Sequence, residues 1–144
     1  MTAKELFLEA MRRSDAREHE GFLAMQAADT TWVVPGGMEL RGIEQLRGWL
    51  EPFWQGFSTS RHDLTRVFED GNTVFAEGVW TGTNDGALQM PQGTLPPTGR
   101  TVTFPFAIVV TGDLDRGVAT SVHVYFDQLE FLGQLGQLPD EAAA

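Results

Sequence analysis

From residue 61 to residue 126 the apolar side chains recur at every second position, whereas over the first 57 residues they recur at every third and fourth. Successive side chains alternate across a strand but wind round a helix, so these two periods predict different structures. Helices first and strands afterwards is the order of an α+β domain, in which the helices cover one face of a curved, mainly antiparallel sheet.

Thr2 and Glu5 have capping-box spacing, which lets side-chain oxygens accept the backbone N–H groups left over at a helix start. They predict a first helix over about 3–12, with Leu6, Phe7, Ala10 and Met11 on one stripe. Asp15 and Glu18 repeat the spacing ahead of Phe22, Leu23 and Met25, predicting a second helix after a break near Ser14. A third is predicted between Gly42 and Gly56, where Ile43, Leu46, Trp49, Leu50, Phe53, Trp54 and Phe57 form a broad apolar face. Pro52 should kink or split its last turn. Between the second and third helices, Thr30 to Val34 reads as a short strand stopped by Pro35-Gly36-Gly37.

Runs 61–69, 73–84, 101–111 and 118–126 read as long strands joined largely by hairpins. Segment 85–100 is long for a hairpin connection, and loops of that length are usually functional or mobile. Leu129, Phe131, Leu132 and Leu135 predict a helical turn or two before an Ala-rich tail holding Asp140-Glu141. In 101–111 the even positions are apolar, yet Pro105, Ala107 and Val109 make the odd face apolar too. Three helices cannot cover both faces, so a second subunit packing sheet to sheet is expected, as a homodimer. No repeat or domain boundary is evident, so residues 1–144 read as one domain.

Composition narrows the function. With 10 basic and 20 acidic residues among 144, the formal charge is −10 and the pI about 4.6. Such a surface repels phosphate backbones, which argues against nucleic acid and anionic membranes as partners. The absence of cysteine removes disulfides, thiolate metal sites and cysteine nucleophiles. The longest apolar stretch, Phe104 to Val110, falls far short of the roughly 20 residues a membrane-spanning helix needs. The N-terminal residues lack the order of a signal peptide, so a cytoplasmic location is the expectation.

The run Ser121 to Asp127 is the most informative for chemistry. Strand alternation puts His123, Tyr125 and Asp127 on one face and Val122, Val124 and Phe126 on the other. Facing inward, a desolvated Asp127 and its neighbours could exchange protons and stabilise an oxyanion; facing outward, they are an ordinary solvated face. Alternation alone leaves both open. Trp80 and Asn84 share a parity with Gly78, Ala76 and Val74, and small residues beside a large aromatic suggest a hollow for a flat ligand. Trp32, Trp54 and Phe57 could line it. His19, His62 and His123 are far apart and show no metal-ligand spacing, and neither a dinucleotide fingerprint nor a phosphate loop is present, so no metal or cofactor is expected.

Three motifs in register, TGTNDG at 81–86, PPTGR at 96–100 and YFDQLEFLGQLG at 125–136, resemble the SnoaL-like polyketide cyclases of the nuclear transport factor 2 superfamily. The resemblance covers about residues 3–139 and implies a cone-shaped α+β barrel, three N-terminal helices over a bent sheet, a deep pocket and frequent dimers. It places Asp127 at the position of the cyclases' general acid/base, in a cofactor-free aldol closure. It also places Asn84 where the family usually presents a histidine, and Ser121 and His123 where a Glu or His is often found.

The expected function is acid/base chemistry, aldol cyclisation or isomerisation, on a hydrophobic carbonyl-bearing molecule. Asp127 would move the proton, and His123, Tyr125 or Asn84 would hold the enolate oxygen. A non-catalytic binding or interaction module and an epoxide hydrolase-like activity are the alternatives.

Overall fold

In the computed structural model, which describes residues 1–138, Thr2 caps α1 (Ala3–Asp15) as its spacing predicts, its hydroxyl accepting the Glu5 N–H at 3.1 Å. The predicted stripe faces the core: Phe7 is buried, and Leu6, Ala10 and Met11 are half-buried. The Asp140-Glu141 tail lies outside the described residues.

The second helix departs from expectation. α2 (His19–Leu23) is a five-residue turn, and its N-cap is Glu18, without a side-chain bond. Asp15, expected to cap it, is instead the last residue of α1, with its carboxylate turned to His62. Arg17 makes the intervening turn at φ +62°, uncommon for a residue with a Cβ. Its guanidinium donates to the carbonyls of Phe57 at 2.7 Å and Trp54 at 2.5 Å.

β1 (Gln26–Val34) starts four residues earlier than predicted and turns at Gly36 and Gly37 into β2 (Met38–Arg41), which the sequence pattern did not show. α3 (Gly42–Gly56) passes through Pro52 without splitting, and Phe57 leaves it to open β3 (Phe57–Asp70). β4 (Thr73–Asn84), a short hairpin of β5 (Leu88–Met90) and β6 (Gly93–Leu95), β7 (Thr101–Asp113), β8 (Val118–Tyr125) and α4 (Gln128–Gln134) complete the chain. The segment predicted as one long loop therefore contains a small sheet of its own.

The six-stranded main sheet runs β2-β1-β8-β7-β4-β3, antiparallel except where β1 meets β8. Its inner face carries the even residues of β4 and β7: Val74, Ala76, Trp80, Val102, Phe104, Phe106 and Ile108 are buried against Phe7, Phe22 and Leu46 of the helices. The odd face leaves Phe75 of β4 and Tyr125 of β8 exposed.

β3 shifts register between Leu64 and Arg66, a bulge of the kind that bends a sheet, opposite Gly78. A Cβ at Gly78 would overlap the Asp63 carbonyl oxygen, so this glycine admits the backbone of β3. A Cβ at Gly82 would come 2.7 Å from the Trp80 ring, which lies over it. The space left by these two glycines is thus taken by the β3 backbone and the Trp80 ring. No helix among the described residues is long and apolar enough to cross a membrane.

Candidate active site

A cavity of about 120 Å³ lies between the helices and the inner face of the sheet. Its walls are largely aromatic: Trp49, Phe53 and Trp54 from α3, Trp32 from β1, Trp80 from β4 and Phe104 and Phe106 from β7. Trp80 stacks on Phe104 with ring centres 5.1 Å apart, and Trp49 meets Phe53 edge-on at 5.1 Å. The polar side chains on this wall, apart from the indoles, are Ser14, Ser60 and His62.

His62 is held from three sides. Its ring Nδ1 lies 2.6 Å from Asp15 Oδ1, its backbone N–H donates to Asp15 Oδ2 at 3.1 Å, and its ring stands perpendicular to Phe106 at 5.3 Å. One carboxylate therefore fixes both the backbone and the imidazole of the same residue. An ionised carboxylate only accepts, so Nδ1 carries the shared proton, which leaves Nε2 of a neutral ring as a base. The His62 side chain is 20% exposed and lines the cavity, whereas Asp15, 29% exposed, is not among its lining residues and reaches it only through His62. Ser60 stands two residues from His62 on the same face of β3, and Ser14 adjoins Asp15 at the end of α1.

Several residues expected at the site lie elsewhere. Trp32, Trp54 and Trp80 do line the cavity. Phe57 is fully buried and packs edge-on against Trp80 at 5.1 Å, one layer behind the wall. Asn84 is also fully buried, but its amide donates to the Gly56 and Gly86 carbonyls and accepts from the Thr98 N–H and hydroxyl. All its hydrogen-bonding capacity goes into holding the loop.

The wall expected from His123, Tyr125 and Asp127 is on the other side of the sheet. Val122 and Val124 take the inner face of β8, opposite Val110 and Ile108, so strand alternation turns His123 and Tyr125 outward. There the Tyr125 hydroxyl lies 3.3 Å from His123 Nδ1. Asp127 is exposed as the N-cap of α4, accepting the N–H groups of Leu129 and Glu130 at 2.9 and 3.3 Å.

His62, which the cavity does present, and its partner Asp15 were missed. His62 shares its parity with Leu64 on β3, which marks the inner face. Nothing local joins it to Asp15, 47 positions away. Among the described residues, no group of three or more His, Asp or Glu side chains could hold a metal ion.

Fold and layering define an α+β domain in which helices cover the inner face of a mainly antiparallel six-stranded sheet. A family model described as the SnoaL-like domain matches residues 5–116, and the chain belongs to that family. Similar solved structures include AclR from Streptomyces galilaeus, a proposed hydroxylase, with TM-score 0.80, 17% identity, 96% of this chain and 83% of that one covered. IdmH from Streptomyces antibioticus, a proposed polyketide cyclase, has TM-score 0.77 and 18% identity, covering 94% of this chain and 99% of its own. An NTF2-like protein of unknown function from Burkholderia pseudomallei has TM-score 0.74 and 19% identity, with 94% and 98% covered. No curated protein matches the chain.

Proposed function

We propose that this protein is an acid/base enzyme acting on a hydrophobic carbonyl-bearing small molecule, by aldol cyclisation or isomerisation. The observation that carries the reading is His62 on the wall of an aromatic cavity, its Nδ1 bonded to Asp15. Proton abstraction beside a carbonyl needs a base with a free lone pair, and Nε2 of His62 supplies one while Asp15 stabilises the imidazolium that forms. The enolate oxygen needs a donor, and the Ser14 and Ser60 hydroxyls are the ones close in the fold; a well-placed donor contributes about 3 kcal/mol. An apolar wall strengthens each of these interactions by excluding water. The likeness to a proposed polyketide cyclase supports the substrate class.

In this reading the base is His62, and Asp127 organises a helix. The test is exchange of α-hydrogens of a cyclic ketone in deuterated water, followed by proton NMR. The wild type should accelerate exchange, and His62→Gln should lower the rate by about 10²–10⁴-fold. Asp15→Asn should lower it as well, by releasing the tautomer. Equal rates in wild type and His62→Gln would leave only a binding module.

A further inference from the structure

We propose that a second, smaller cavity under α1 is the far end of the ligand site, gated by Met11, and that the ligand is a single-ring carbonyl compound bearing a short alkyl branch. This rests on the reading of the main cavity as a site for carbonyl compounds. The second cavity has a volume of about 40 Å³ and is walled by Ala3, Leu6 and Ala10 of α1, with Met25, Val74 and Val110 opposite. Two polar side chains border it: Gln26 Oε1 accepts the Trp32 indole N–H at 3.1 Å, leaving its amide N–H groups as the free donors, and the Asn72 amide donates to the Gly112 carbonyl at 3.1 Å. A space with so few free polar partners suits hydrocarbon better than water.

The two cavities share four wall residues, Met11, Phe22, Trp32 and Ile108, which form the partition between them. Three of these are fixed. Phe22, Trp32 and Ile108 are buried, Trp32 is tied to Gln26, and Ile108 sits mid-strand between Ala76 and Val124. Met11 is half-buried and unbranched, with a flexible thioether that can turn aside. Rotating it joins the two spaces.

Size then selects the ligand. An apolar cavity of roughly 150 Å³ holds benzene, so the main cavity of about 120 Å³ suits one ring and not a fused system. A water-sized sphere takes about 10–15 Å³ in such volumes. The 40 Å³ chamber therefore suits a branch of about three carbons.

The test is a titration of 2-alkylcyclohexanones, from methyl to hexyl, read by tryptophan fluorescence, because Trp32, Trp49, Trp54 and Trp80 all line the main cavity. Affinity should rise roughly fourfold per carbon up to propyl and then level off. In Ala10→Leu and in Val110→Phe, each checked for folding by circular dichroism, the rise should flatten to less than twofold across the series. A flat wild-type series, a rise that persists in both filled variants, or tricyclic anthrone binding as tightly as the propyl compound would overturn the proposal. The same titration on His62→Gln separates the two readings. A rise retained there, with hydrogen exchange as fast as in the wild type, upholds the chamber and defeats only the acid/base mechanism, whereas no binding across the whole series in the wild type defeats both.

Discussion

Asn84 and Asp127 show how a side chain's hydrogen bonds decide its role. Asn84 spends both ends of its amide on Gly56, Gly86 and Thr98 in a fully buried setting. Asn84→Ala should therefore destabilise the fold by about 3 kcal/mol, because it strands buried donors and acceptors without removing a reacting group. Urea unfolding checks this. For Asp127 the two possible roles separate cleanly. As a helix cap, Asp127→Ala should cost about 1 kcal/mol, whereas Asp127→Asn should cost little and leave ketone hydrogen exchange at the wild-type rate. A large loss of exchange in Asp127→Asn would return the acid/base role to that carboxylate.

At the scale of elements, the three motifs that carried the family resemblance turn out to brace the scaffold. The first two clasp each other: the Asn84 N–H donates to the Arg100 carbonyl, and the Gly99 N–H donates to the Asn84 carbonyl, both at 2.8 Å. A Cβ at Gly86 would overlap the Gln55 carbonyl oxygen, which seats the same loop against the end of α3. The third motif is α4 with both its caps: Phe131 and Leu135 are buried, and Gln134 bonds the N–H and carbonyl of Thr103, each at 2.7 Å. Legibility follows from this. Strands β4, β7 and β8 could be read because each keeps one alternation over most of its length, the register slipping only between Thr111 and Gly112. β2 could not, since its four residues alternate too briefly, and β3, read as 61–69, begins earlier, at Phe57, with a register shift between Phe57 and Ser60. Face assignment on β8 needed its register with β7, which sequence periodicity does not contain. The His62–Asp15 pair was illegible because the Asp15-to-Glu18 spacing reads as a local cap, while the fold uses Asp15 across 47 positions.

For the whole molecule, charge sets the response to acid. Burial against Trp54 and then the nearby Arg17 charge hold His19 below its usual 6.5, so the unfolded chain binds that proton first. Stability is complete above about pH 6.5 and falls as pH drops through that region. Hydrogen bonds from Arg12 and Arg13 hold Glu9 down at about 2, and Arg47 and Arg116 lower Glu20 and Asp113 in the same way. These contribute fully above about pH 4.5, the ordinary glutamate value, and their contribution is lost as pH falls further. Urea midpoints should therefore hold from pH 8 to 7 and fall in two stages below; His19→Phe, which keeps the stack on Trp54, should remove the first.

Assembly is the second expectation at this scale. Tyr125, Leu129 and Phe75 stand 54%, 63% and 47% exposed on or beside the outer face of the sheet, which we propose a second copy covers. Light scattering should then give twice the 15.9 kDa chain mass, and Tyr125→Glu should return it to one.

The proposed proton transfer turns on one imidazole, and nitrogen-15 NMR of the histidine rings observes it directly, with His62→Gln for assignment. In its neutral form the His62 ring should show a protonated Nδ1 and a bare Nε2, and Asp15→Asn should disturb that pattern. A proton on Nε2 of the neutral ring in the wild type, or an unchanged spectrum in Asp15→Asn, would contradict the central claim that Asp15 sets His62 as the base of this cavity.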